Sequence, residues 1–94
     1  MVKLVPKHIN DSVGTKAKSI DKPMDFYSFL IDNTSVNTLY VSFDGGNNYK
    51  TITRGNYINM SGYQDKPIHL DEPVKVKGSA DDTTFEILLL MEEK

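Results

Sequence analysis

Few side chains in this sequence are equipped for chemistry, and those few are poorly matched to one another. His8 and His69 are the two histidines, and cysteine is absent. No His-x-x-x-His pattern accompanies them, and a zinc site without thiolates needs such a cluster. Both are therefore expected to be solvated or hydrogen-bonded surface groups. Asp71-Glu72 and Asp81-Asp82 are adjacent carboxylate pairs. Neighbours on a strand point to opposite faces, whereas an acid–base couple needs both carboxyls aimed at one bond. Both pairs adjoin turn signals, so solvated turns account for them. No Gly-x-Ser-x-Gly elbow is present, and no glycine loop with a lysine or dinucleotide fingerprint for phosphates. Asp44, Asn47 and Asn48 collect oxygens in a glycine-rich loop, but one carboxylate falls short of the about six to eight oxygens that calcium gathers. The expected role of Asp44 is to accept hydrogen bonds from its own loop, as Asx turns do. The expectation is a non-enzymatic protein with no cofactor and no metal.

Overall composition narrows the partners. Ninety-four residues make one domain, spanning 1–94. A formal charge of −2 supplies no basic field, so nucleic acid is not an expected partner. No apolar run approaches the roughly 20 residues of a spanning helix, so no membrane is expected either. Lack of cysteine removes disulfides and thiolate chemistry. The opening Met1–His8 has neither the apolar stretch nor the cleavage pattern of a secretory leader, which suggests folding in a cytoplasm.

The elements that must position any site read as short strands. Leu39, Val41 and Phe43 alternate with Tyr40, Ser42 and Asp44, the period of a half-buried strand. Asp44-Gly45-Gly46-Asn47-Asn48 supplies the positive-φ residues of a tight hairpin, with Asp44, Gly45 and Gly46 shaping the loop. Tyr49–Thr53 follows, then an Arg54-Gly55-Asn56 turn and Tyr57–Met60, which together read as a β-meander. Val2, Leu4 and Val5 form a strand that stops at Pro6, or an extended arm within 1–12 lying on a neighbour. Lys16–Ile20 and Pro67–Leu70 are weaker strand signals. Met24–Ile31 reads as one strand, with Phe26, Ser28 and Leu30 on one face and Tyr27, Phe29 and Ile31 on the other. Val74 and Val76 alternate cleanly with Lys75 and Lys77. In the last strand Phe85, Ile87, Leu89 and Met91 share a face, opposite Glu86, Leu88 and Leu90. No segment sustains a helical period. The fold class is all-β: a small sandwich or barrel of seven to eight short antiparallel strands, jelly-roll-like.

Two resemblances sit on these residues. Ser42-Phe43-Asp44-Gly45-Gly46-Asn47-Asn48-Tyr49 resembles an Asp-box, Ser-x-Asp-x-Gly-x-Thr-Trp, with Asn48 in place of the threonine and Tyr49 in place of the tryptophan. In propeller proteins that motif is structural, and the single copy here implies only a hairpin locked by Asp44. Over residues 24 to 91, the order is an apolar strand, Leu-Tyr-Val-Ser-Phe-Asp-Gly-Gly, an Arg-Gly-Asn turn, Val-Lys-Val-Lys-Gly-Ser and Phe-Glu-Ile-Leu-Leu. This order resembles the small β-sandwich structural proteins of tailed bacteriophages, of the head decoration, auxiliary capsid and head–tail accessory type. The resemblance implies a virion protein, made in the host cytoplasm, that self-associates as a symmetric oligomer and docks on major capsid or tail proteins; a trimer is the expected form.

Strands with apolar residues on both faces point the same way, because a two-layer sandwich covers only one face of each strand. Tyr27, Phe29, Leu88 and Leu90 are the expected subunit contacts, with Val2, Leu4 and Val5 as an arm. The alternative is a carbohydrate-binding module, in which Tyr40, Tyr49, Tyr57 and Tyr63 stack on sugar rings. That reading requires several of those rings in one exposed flat row.

Overall fold

Every described segment of the computed structural model is extended or turning, and none is helical. The described residues are 3–20, 25–62 and 66–92. In chain order their strands are β1 (Leu4–Val13), β2 (Lys18–Ser19), β3 (Asp25–Phe26), β4 (Ser28–Asn33), β5 (Leu39–Ser42), β6 (Lys50–Ile52), β7 (Tyr57–Ser61), β8 (Ile68–His69), β9 (Lys75–Gly78) and β10 (Thr83–Glu92). One four-stranded sheet runs β1-β10-β4-β7 and the other β2-β9-β5-β6, while β3 pairs with β8. All the pairings are antiparallel. The chain changes sheet between β1 and β2, β4 and β5, β6 and β7, and β9 and β10, which is the connectivity of a jelly roll.

The core follows from alternation. Phe85, Ile87 and Leu89 are buried on β10, and Val74 and Val76 on and beside β9 face them from the second layer. Leu39, Val41 and Ile52 complete that layer's inner surface. A close approach joins the two sheets at Gly78: a Cβ there would stand 2.2 Å from the Thr83 hydroxyl oxygen. Only a residue without a side chain fits that corner, where the Thr83 hydroxyl donates to the Ala80 carbonyl at 2.7 Å.

Three strand expectations are corrected. β1 does not stop at Pro6 but continues to Val13, pairing along its whole length with β10. It is an edge strand, where a missing N–H costs little. Residues 4–12 are therefore part of this chain's own sheet and not a detached arm; Val2 lies outside the described residues. Second, the expected strand Met24–Ile31 is not one strand over its described residues 25–31; Met24 lies outside them. A bend at Tyr27 separates β3 from β4 and breaks the two-residue period, so Phe26 and Phe29 both point inward. Phe29 is 0% exposed and meets the rings of Phe26 and Phe43, each at 5.6 Å between centroids. It is a core residue and not a subunit contact. Third, the meander ends after two strands, because β7 leaves β6 to pair with β4 in the opposite sheet.

Asn33, which the Asp32-Asn33-Thr34-Ser35 run marks as turn chemistry and nothing more, holds that crossing. It is 3% exposed at the end of β4. Its amide group donates to the carbonyls of Asn37 and Ile52 at 2.7 and 2.9 Å, and its side-chain oxygen accepts from the Ser35 N–H and hydroxyl. Its backbone N–H donates to Asn56 in the turn before β7.

Candidate self-association surface

The outward face of the β1-β10-β4-β7 sheet can be read from register, since residues paired across an antiparallel ladder share a face. One row runs His8, Leu88, Leu30, Asn59. The row on one side is Pro6, Leu90, Ser28, Ser61, and on the other Asn10, Glu86, Asp32, Tyr57. Leu30, Leu88 and Leu90 thus lie together, partly open to solvent, on the side away from the core. A shallow depression with a cavity volume of ≈ 250 Å³ lies beside them, lined by His8, Asn10, Leu30, Asp32, Glu86 and Leu88.

The apolar stripe continues past the edge of the sheet. β4 pairs with β10 only as far as Leu90, so Met91 and Glu92 are partnered by β1 alone. This two-stranded ribbon carries Leu4 and Val5, exposed at 39% and 36%. A two-stranded ribbon is marginal in water by itself, and exposed apolar residues at its tip favour a further surface. Of the expected contacts, Leu88, Leu90 and Leu4 share the outer face, and Val5 lies on the ribbon's opposite side. Tyr27 is half-buried at the bend, with its backbone bonded to Leu90 and Gly62.

The opposite outer face, of the β2-β9-β5-β6 sheet, has different chemistry. Lys75 and Lys77 point outward between the buried Val74 and Val76. The Lys77 ammonium lies 4.1 Å from the centre of the Tyr49 ring and 5.8 Å from that of Tyr40, a cation–π arrangement. Tyr57 is on the other sheet, and Tyr63 lies outside the described residues. The described tyrosines therefore do not form one flat row, and Lys77 already covers a face of Tyr49. The carbohydrate-binding alternative loses the geometry it required.

The hairpin beside this face is fastened by Asp44. Its Oδ1 accepts from the Ser42 hydroxyl at 2.7 Å and the Asn48 N–H at 2.9 Å, and its Oδ2 from the Asn48 amide at 2.8 Å. Gly45 and Gly46 have φ of 75° and 97°, values that suit glycine. The Asn48 side chain, then its backbone N–H and Ser42, hold the Asp44 carboxyl down to about 2. A depressed carboxylate contributes stability that is complete above its unfolded value and is lost as pH falls through the folded value. The loop is expected to loosen between about pH 4 and pH 2, and Asp44→Ala should remove that acid transition. Amide-exchange protection at Gly46 and Asn48 measures it; protection independent of pH in the unaltered protein would refute it.

His69 forms a second polar cluster. Its Nδ1 bonds the Asp25 carboxylate, and its Nε2 lies 3.0 Å from Asp71 Oδ1. Hydrogen bonding to Asp25, with its charge and that of Asp71, raises the imidazole above its ordinary value. A raised histidine stabilises fully below its unfolded value and loses the contribution as pH rises through the folded one. The β3–β8 pair is thus expected to be best protected in mild acid and to loosen as pH climbs above about 6.5. An NMR titration should place His69 higher than in an Asp25→Asn variant; equal midpoints would refute the pairing. Among the described residues, no group of three or more histidines and carboxylates is placed to hold a metal ion.

No protein-family model matches the sequence, and no curated protein matches it. Solved structures do match in fold. A protein of Bacillus endospore appendages, described as disulfide-linked pili, aligns with a TM-score of 0.59 and 11% identity, over 99% of this chain and 89% of its own. An RmlC-like cupin protein from Desulfovibrio desulfuricans aligns with a TM-score of 0.56 and 11% identity, over 97% of this chain and 80% of its own. At such identity the likeness is one of fold: an antiparallel jelly roll.

Proposed function

We propose that this protein is a non-enzymatic structural protein that self-associates through the outer face of its β1-β10-β4-β7 sheet and docks on the head or tail of a tailed bacteriophage. One observation carries the proposal. β10 buries Phe85, Ile87 and Leu89 on one side, yet presents Leu88 and Leu90 on the other beside Leu30. The sandwich covers one face of each strand, and the second face gains by being covered by another molecule. The fold it shares with a pilus-forming protein supports a building-block role. These 94 residues contain no cysteine, so no disulfide can link copies through them. The assignment to a phage particle is supported by the resemblance over residues 24 to 91.

The test is sedimentation velocity on the protein and on a Leu88→Glu/Leu90→Glu variant. Removing two apolar anchors and adding charge is expected to weaken association at least about 100-fold. Far-UV circular dichroism should stay that of a β protein, because neither side chain enters the core. A wild-type protein that stays monomeric up to about 1 mM, the weak limit of specific binding, removes the self-association reading. Failure to co-sediment with any phage particle removes the docking reading.

A further inference from the structure

The two outer faces of the sandwich are chemically unlike, and this bears on how copies meet. On the β1-β10-β4-β7 face the leucines are bordered by Asp32, Glu86 and Glu92, which register places on the same side. Among the described residues of that face there is no lysine or arginine. On the β2-β9-β5-β6 face, Lys77 lies over the Tyr40 and Tyr49 rings, and Lys75 projects from the same strand beside Gly46.

We infer that the second copy seated on the acidic, leucine-bearing face presents its lysine–tyrosine face, so that copies stack front to back. The inference rests on the self-association proposed above and adds the partner surface. Front-to-front pairing would bring together two faces that each carry Asp32, Glu86 and Glu92 and, among their described residues, no lysine or arginine to offset them, and burying like charges together is disfavoured as solvent leaves. Front-to-back pairing places those carboxylates against Lys75 and Lys77, and sets tyrosine rings, which are enriched in interfaces, against Leu88 and Leu90. The two faces lie on opposite layers of one sandwich and point in opposed directions. A contact between unlike faces so directed does not close on itself but repeats into an open column. An open stack therefore replaces the expected trimer. Four strands spaced about 4.8 Å apart and six residues long present roughly 400 Å² per copy. That is at the small end of specific interfaces, so the stack should lengthen with concentration.

Sedimentation velocity on two charge-reversed variants tests the pairing. Lys75→Glu/Lys77→Glu alters one face, and Asp32→Lys/Glu86→Lys the other; Glu86→Lys alone serves if the half-buried Asp32 proves sensitive. Each variant alone is expected to associate at least tenfold more weakly than wild type. Their equimolar mixture should recover association, because every contact then pairs opposite charges. Wild-type stacking should also weaken as salt rises. Unchanged association of the folded lysine variant, or no recovery in the mixture, overturns front-to-back stacking and leaves self-association standing. A monomeric wild type overturns both.

Discussion

Phe29→Ala is expected to destabilise the protein by about 3–5 kcal/mol, the range for deleting a fully enclosed phenylalanine. Phe29 is 0% exposed, and its ring meets Phe43 edge-on at 80° and Phe26 at 49°. Truncation opens a cavity between the layers and breaks both aromatic contacts. A domain of this size holds roughly 5–15 kcal/mol in total, and each kcal/mol moves the midpoint by about 4–8 °C. The thermal midpoint should fall by roughly 15–30 °C. Leu30→Ala is the control: its neighbour on the strand points outward, so the loss should stay near 1 kcal/mol. Similar small losses for both would mean that Phe29 is not enclosed, and would return it to the surface as a contact residue.

Asn33→Asp carries the second large effect, expected at roughly 2–5 kcal/mol. The two residues have the same shape, so packing is unchanged. What changes is that the amide donors facing the Ile52 and Asn37 carbonyls become carboxylate oxygen facing carbonyl oxygen. A buried charge without a counterion raises the folded pKa of the new Asp above its unfolded value. The folded state then binds the extra proton, so the deficit should shrink as pH falls from about 7 towards 5. Chemical denaturation of variant and wild type across that range measures it. A deficit independent of pH would mean that the new carboxyl reaches solvent, and that Asn33 does not clamp the passage from β6 to β7.

The contrast between these residues marks how far local sequence reaches. Strands with clean one-sided alternation were legible: Val74 and Val76 against Lys75 and Lys77, and Phe85, Ile87 and Leu89 against Leu88 and Leu90. The period of two needs no tertiary information. The Asp44 hairpin was legible for a like reason, because all its bonds fall within seven residues, from Ser42 to Asn48. Phe29 was misdirected because one bend at Tyr27 shifts the alternation, and nothing in Met24–Ile31 marks that bend as glycine or proline would. The effect of Pro6 depends on whether its strand lies at an edge, which local sequence does not show. Asn33 reads locally only as a turn residue, because its bond to the Ile52 carbonyl spans 19 residues; the Asp25–His69 pair left no local trace, its members standing 44 residues apart.

The amino-acid order alone determined an all-β chain, the inward sides of most strands and a leucine surplus on the last one, because those follow from side-chain chemistry and the pleat. Only the tertiary structure decided which strand lies beside which. It sent β7 to the far sheet, ran β1 through its proline along β10, and set an acidic leucine face back to back with a basic tyrosine face. Those outcomes come from non-local pairing, in which two sheets must close over one core while backbone groups find their ladder partners far along the chain.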